Sequence, residues 1–218
     1  MLIVGEDADR RRGPAGAACQ TGAMSESARR GRPGYDRRGL LDAAVAVFNE
    51  SGYDATSVAA LAARLGLSKA ALYHHFSSKE EILETALGEA LDGLESVLTE
   101  TDAVRPGDRL AAVLQGAVGV LVAHLPSVTL LLRVRGNSEV ERRALERRRA
   151  FDQAVTAIVR AAQHEGAVRA DVDASVATRL LFGMVNSLVE WYRPGGPEDA
   201  EAVARDVLTV ALDGLRTR

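Results

Sequence analysis

Cysteine is almost missing from this chain: Cys19 stands alone among 218 residues. An internal disulfide and a cysteine-rich zinc module are therefore excluded. A reducing cytoplasm suits such a composition. Aromatic residues are also sparse, at 4 %. Alanine, leucine and valine dominate instead, which favours helices packed on helices. No apolar run is long and unbroken enough to span a membrane. The most apolar stretch, VLQGAVGVLVAHLPSVTLLL, is interrupted by Gln115, His124 and Pro126 and reads as buried helices. The opening MLIVGEDADRRR starts apolar and then turns acidic, the wrong order for a secretory signal. Catalytic signatures are absent too: there is no H-E-x-x-H, no G-x-S-x-G and no phosphate-cradling glycine loop. No enzyme, cofactor or metal centre is expected.

What is present argues for a folded protein. Hydrophobic residues make up 47 % of the chain, enough for one or two compact domains with a core. Charge is unevenly spread. From Met24 to Lys79 there are eight Lys/Arg against five Asp/Glu, a local net of +3. Residues 80–218 carry 16 Lys/Arg against 22 Asp/Glu, a net of −6. The first of these regions can face a polyanion while the second repels one. Both lysines of the chain, Lys69 and Lys79, lie in the first region, within LSKAALYHHFSSKEEIL.

Residues 1–34 lack helical periodicity and are rich in Arg, Gly, Ala and Pro, so they read as a flexible basic arm. Either Met1 or Met24 can be the start, and MSESARRGRPG makes a compact basic arm from Met24. Helical punctuation then recurs. Asp36 can cap a helix with Leu41, Ala44, Val45 and Phe48 inward, and Gly52 sits where that helix would end. Thr56 is the expected N-cap of a short helix burying Val58, Leu61, Ala62 and Leu65. Gly66 follows, then Ser68 as the cap of a helix of about two turns, Lys69 to Phe76. Ser78 and Glu81 form an S-x-x-E capping box for the next. Pro106, Pro126 and Pro197 suit first turns of later helices. About nine helices and no strand are expected.

Two short helices joined at Leu65-Gly66-Leu67 have the form of a helix-turn-helix. The second would expose Lys69, Ala70, Tyr73 and His74, with Ala71, Leu72 and Phe76 as anchors. Lys69 can reach a phosphate or a guanine edge, and Tyr73 and His74 can donate to phosphate oxygens. Lys79, Thr56, Ser57 and Ser68 sit at helix starts, where phosphate is favoured. The two adjacent histidines are not a chelating pair, because neighbours on a helix point about 100° apart. The alternative is a helical hairpin of purely structural role. The segment FNESGYDATSVAALAARLGLSKAALYHHFSSKEEIL resembles the DNA-binding signature of TetR-family transcriptional regulators over roughly residues 36–85. The resemblance implies an all-α homodimer, with a three-helix DNA-binding domain at 35–80 and a helical ligand-binding and dimerisation domain at 81–218. It implies a cytoplasmic repressor that binds a near-palindromic operator in double-stranded DNA and is released by a small ligand. Two alternatives share these features: an activator without a small ligand, and a metabolite-binding or enzymatic helical protein with a relict helix-turn-helix. Ala70-Ala71 departs from the family pattern and leaves few direct base contacts.

The C-terminal region carries two apolar stripes. Residues 173–193 align Val176, Leu180, Gly183, Met184, Ser187 and Leu188, followed by Trp191, and residues 199–215 align Val203, Val207, Ala211 and Leu215. They read as core-facing helices in part. The resemblance adds a four-helix dimer interface, with Gly183 and Ser187 small enough for close approach and Val203, Val207 and Ala211 on the second helix. Gln115, His124, Arg133, Asn137, Asn186 and Trp191 are the candidate ligand contacts. WYRPGGP, residues 191–197, resembles a TetR-family branch that senses acyl-CoA thioesters. A small hydrophobic or acyl-CoA-like effector is expected, with Arg133, Arg135 or Arg193 holding its anionic end.

Overall fold

Most helices of this protein start on a side chain that accepts a hydrogen bond from a backbone N–H left over in the first turn. The computed structural model describes residues 36–102 and 105–215, so the arm expected over 1–34, with Cys19 and Met24, lies outside the described residues. Asp36 accepts from Gly39 N at 2.7 Å and opens α1, Arg37–Ser51. Ser57, not Thr56, accepts from Ala60 N at 3.1 Å and opens α2, Val58–Leu65. Ser68 accepts from Ala71 N at 3.1 Å and opens α3, Lys69–His75. Ser78 accepts from Glu81 N at 3.0 Å and opens α4, Lys79–Glu100. Each such cap contributes about 1 kcal/mol. The α2–α3 turn depends on Gly66, whose φ of 67° is left-handed and lets Leu67 N reach back to Ala62 O at 2.9 Å.

Five more helices follow among the described residues: α5, Pro106–Ala123; α6, Leu125–Arg133; α7, Glu139–His164; α8, Ala174–Trp191; and α9, Ala200–Leu215. No described residue is in a strand. The fold is all-α, as the composition implied. Pro106 and Pro126 stand in the first turns of α5 and α6, whereas Pro197 lies in the loop ahead of α9. The most apolar stretch is not one rod. It breaks at His124, and α5 and α6 meet at 100°. No single described helix is long and apolar enough to cross a membrane.

α5 is the centre of the larger part. It buries Leu110, Val113, Leu114, Ala117, Val118 and Leu121 and packs against α4, α7, α8 and α9. α4 and α5 approach so closely that a Cβ on Gly116 would lie 2.6 Å from a Val97 methyl. α4 also packs on α1 and α6, so one continuous helix runs from the helix-turn-helix into the bundle. The boundary expected at 80/81 falls inside its first turn.

One expectation for the C-terminal helices is corrected here. Val203, Val207 and Ala211 are buried within this chain, where α9 lies against α5. That stripe is internal and offers nothing to a partner. The exposed large apolar residues of α8 and α9 are Val176, Leu180, Trp191 and Val210.

A candidate nucleic-acid interface and the groove behind it

α3 has seven residues, too few to hold a helix in water on their own. Its register is set from below. Leu72 is 2 % exposed and Phe76 1 %, so these two side chains anchor the helix in the core. Arg37 of α1 reinforces the anchor: its guanidinium lies 4.2 Å from the Phe76 ring centroid, and it also donates to His75 O and to Glu81 at 2.8 Å. With one side of α3 pinned, Lys69, Ala70, Tyr73 and His74 are turned outward and exposed. Tyr73 is half exposed, at 50 %. Lys69 has no hydrogen-bond or ion-pair partner among the described residues. Ser57 and Ser68 are exposed beside it, each already capping a helix.

Two of the eight residues expected to meet DNA point the other way. Thr56 is 3 % exposed, and its hydroxyl donates to Gly52 O at 2.6 Å. Lys79 donates from Nζ to Tyr53 O and Thr56 O, both at 3.0 Å, and sits 4.0 Å from the Tyr53 ring centroid. Tyr53 in turn packs edge-on against Phe48, 5.1 Å away. Lys79 thus ties the start of α4 to the α1–α2 loop. Burial, with Glu80, Asp54 and Glu141 nearby, pushes the Tyr53 phenol above its ordinary range and keeps it neutral.

Glu81 completes the base of the motif. It accepts from Arg37, and its other oxygen takes Ser77 N at 2.6 Å and Ser77 Oγ at 2.7 Å. The capping box is therefore shifted: Glu81 reaches Ser77, one residue before the N-cap. The bond from Arg37, followed by those from Ser77, holds the Glu81 carboxyl down to about 2.

Of the six residues expected to hold a ligand, only Arg133 and Asn137 are brought together, in a cleft of about 490 Å³ between the α1–α2 and α6–α7 loops. Arg133 donates to Asn49 O at 2.6 Å, and Asn137 donates to Asp54 at 2.6 Å. The first ties the end of α6 to α1, and the second ties the α6–α7 loop to the α1–α2 loop. Gln115 lies in a shallow apolar groove between α5 and α9. His124 marks the α5–α6 bend, with Nδ1 3.9 Å from Glu89 Oε2; the other Glu89 oxygen accepts from Arg38 of α1 at 2.7 Å. Asn186 lines a groove of about 550 Å³ between α7 and α8, as does Gly183. Trp191 is 49 % exposed at the end of α8, and Ser187 is exposed one turn earlier. Val118, Leu121, Leu130 and Leu131 are buried core residues.

One functional feature escaped the sequence reading. Glu141 is 3 % exposed, and a single oxygen accepts from three backbone N–H groups: Gly136 and Asn137 at 2.7 Å, and Arg135 at 3.2 Å. It shapes the loop that presents Arg133 and Asn137 to α1–α2. The signal was available, because Ser138-Glu139-Val140-Glu141 repeats the S-x-x-E pattern of Ser78–Glu81.

Comparison with known proteins agrees with this geometry. Residues 40–86 match the family model described as bacterial regulatory proteins, tetR family. Residues 103–215 match the tetracyclin repressor-like C-terminal domain. The chain is 32 % identical over 198 residues to the HTH-type transcriptional repressor KstR2 of Rhodococcus jostii, covering 82 % of this chain and 90 % of that protein. It is 24 % identical to the fatty acid metabolism regulator protein of Bacillus subtilis, covering 86 % and 98 %. A TetR transcriptional regulator structure from Streptomyces coelicolor superposes with a TM-score of 0.76 at 49 % identity, covering 82 % and 91 %.

Proposed function

The chain belongs to the TetR family of bacterial regulatory proteins, and from that membership we propose that it is a cytoplasmic homodimeric repressor released from its operator by a small effector. DNA recognition is assigned to residues 35–80, with effector binding and dimerisation at 81–218. The observation that carries the reading is α3 itself. Leu72 and Phe76 pin it, while Lys69, Ala70, Tyr73 and His74 face outward. Lys69 supplies charge to a phosphate, Tyr73 and His74 supply donors, and Ala70 allows close approach to the groove. Two copies related by two-fold symmetry would meet successive major grooves about 34 Å apart, so the operator is a near-palindrome.

The subunit contact is assigned to the outer face of α8, where Val176, Leu180 and Trp191 are exposed around the small residues Gly183 and Ser187, Gly183 also lining the α7–α8 groove; Val210 is exposed on α9. Exposed apolar groups in such a row favour a partner surface. The effector is assigned to the acyl-CoA thioesters. Support comes from the relative named for fatty acid metabolism and from the likeness of WYRPGGP to acyl-CoA-sensing regulators. The mechanism is a population shift: effector binds better to a conformation whose α3 helices are wrongly spaced for DNA. Arg133 and Asn137, bonded to Asn49 and Asp54, connect α6–α7 to the DNA-binding helices and are the contacts such a shift would move.

Mobility-shift titration with the DNA upstream of the protein's own gene tests the reading. Retarded complexes should form and dissolve on adding acyl-CoAs. Release by planar neutral drugs alone would leave the repressor and discard the acyl-CoA. Failure to bind any genomic segment would discard both.

A further inference from the structure

α7 carries the run Arg142-Arg143-Ala144-Leu145-Glu146-Arg147-Arg148-Arg149. Three of these arginines are engaged within the chain. Arg142 pairs with Glu139 at 2.7 Å, and Arg143 with Glu84 at 2.9 Å. Arg147 pairs with Asp92 at 2.6 Å and Glu95 at 2.7 Å. The remaining two, Arg148 and Arg149, have no ion-pair or hydrogen-bond partner among the described residues. They line the groove of about 550 Å³ between α7 and α8. Arg160, further along α7, and Arg179, across on α8, line it too and are likewise without such a partner.

Four guanidinium groups therefore share one concavity whose lining holds a single carboxylate, Asp152. The surroundings make this concentration informative. Residues 80–218 carry 22 acidic against 16 basic residues, yet among the described residues no acid forms an ion pair with any of the four; Asp152 acts on Arg148 and Arg179, and Asp173 on Arg160, only at longer range. Asp152 itself is partly buried; desolvation raises its carboxyl pKa, against the pull of Arg148 and Arg179. The groove also has an apolar wall in Phe182, braced edge-on by Phe151 at 5.3 Å. Guanidinium forks match phosphate oxygens two at a time, and a concave site lets several act on one ligand. None of the three arginines expected from the sequence to do this lines the groove; Arg133 donates to Asn49 O at 2.6 Å, Arg193 to Tyr192 O at 2.8 Å, and Arg135 lies in the α6–α7 loop.

We infer that the α7–α8 groove is an organic-polyphosphate site, and that it takes the nucleotide end of the effector's coenzyme A. The assignment to coenzyme A rests on the acyl-thioester reading above. The test is isothermal titration of the full-length protein, without DNA, using coenzyme A that lacks an acyl chain, with palmitate as the apolar counterpart. The wild type should bind coenzyme A with an affinity that falls as salt rises. Arg148→Ala with Arg179→Ala should weaken that binding at least about tenfold while leaving palmitate unaffected. Arg148→Lys with Arg179→Lys keeps the charge and loses the fork, so its affinity should lie between; melting curves confirm that both variants fold. Equal coenzyme A affinity in wild type and both variants, or no binding by the wild type, would overturn the assignment. So would conversion of the variants to monomers on sedimentation, which would make the arginines subunit contacts. Coenzyme A binding in this titration, with no release of operator by acyl-CoAs in the mobility-shift titration, would support the groove while removing the effector role.

Discussion

The helix-turn-helix and the α5–α9 bundle solve the same problem, holding helices in place, by different means. α2 and α3 have eight and seven residues and bury few side chains each. Their positions depend on single polar contacts: the Ser57 and Ser68 caps, Lys79 on the Tyr53 and Thr56 carbonyls, and Arg37 on Glu81. Apart from α6, with nine residues, the bundle helices have 16 to 26 and bury rows of Ala, Leu and Val, in which any one contact can be replaced by a similar one. A short helix must be specified residue by residue, because it has no surplus burial. A long amphipathic helix needs only a pattern.

The largest effect should come from emptying the anchor of α3. Phe76→Ala removes a ring that is 1 % exposed and should cost about 3–5 kcal/mol, with loss of operator binding. A denaturant titration that shows under 1 kcal/mol would mean that α3 is held some other way. In the bundle, Gly116→Val tests the opposite limit, crowding rather than loss. Its Cβ alone would meet Val97 at 2.6 Å, and overpacking costs about 1–3 kcal/mol. A melting temperature equal to wild type would show that α4 and α5 can separate freely.

The joint between the regions should behave differently from either. Asn137→Ala removes an exposed bond to Asp54, so stability should change by less than about 1 kcal/mol. Effector-induced release of DNA should nonetheless shift, by about 0.5–2 kcal/mol of coupling. Comparing effector affinity with and without operator checks this; identical coupling in the variant would remove the joint from the mechanism.

The smallest effect is a pH dependence confined to the helix-turn-helix. The Glu81 carboxyl is held at about 2, below its ordinary 4.5. A depressed carboxyl stabilises the fold fully above the ordinary value, and that stabilisation fades as pH falls from about 4.5 to about 2. Glu81→Gln should flatten this part of the stability–pH curve. Wild type and variant curves that run parallel across the window would show that Glu81 is not a contributor.

The same contrast decides what could be read from the amino acids. The caps Asp36, Ser68 and Ser78, the turn at Gly66 and the outward set around Tyr73 were legible because each is a particular residue at a particular offset. Thr56 and Lys79 were misplaced because their types suit either a phosphate or a carbonyl, and only the packed α1–α2 loop decides between them. The nine helices among the described residues followed from periodicity and punctuation, which give about nine. Which face of α9 is internal did not, since Val203, Val207 and Ala211 fit α5 as well as they would fit a partner. The α7–α8 groove was invisible for a further reason. Five arginines in one run look alike until the acids on α4 engage Arg143 and Arg147 and leave Arg148 and Arg149 beside α8.

The chain's two lysines give the most direct test that the exposed face of α3 meets DNA. Operator affinity is measured by fluorescence anisotropy across a salt series for wild type, Lys69→Ala and Lys79→Ala, with melting temperature recorded for each. Lys69→Ala should keep the melting temperature and reduce the slope of log K against log salt by about 0.9 for each lost phosphate contact. Lys79→Ala should lower the melting temperature, because Tyr53 O and Thr56 O lose their donor, and leave the slope unchanged. The reverse pattern, with the slope moved by Lys79 and untouched by Lys69, would contradict the assignment of α3 as the recognition helix.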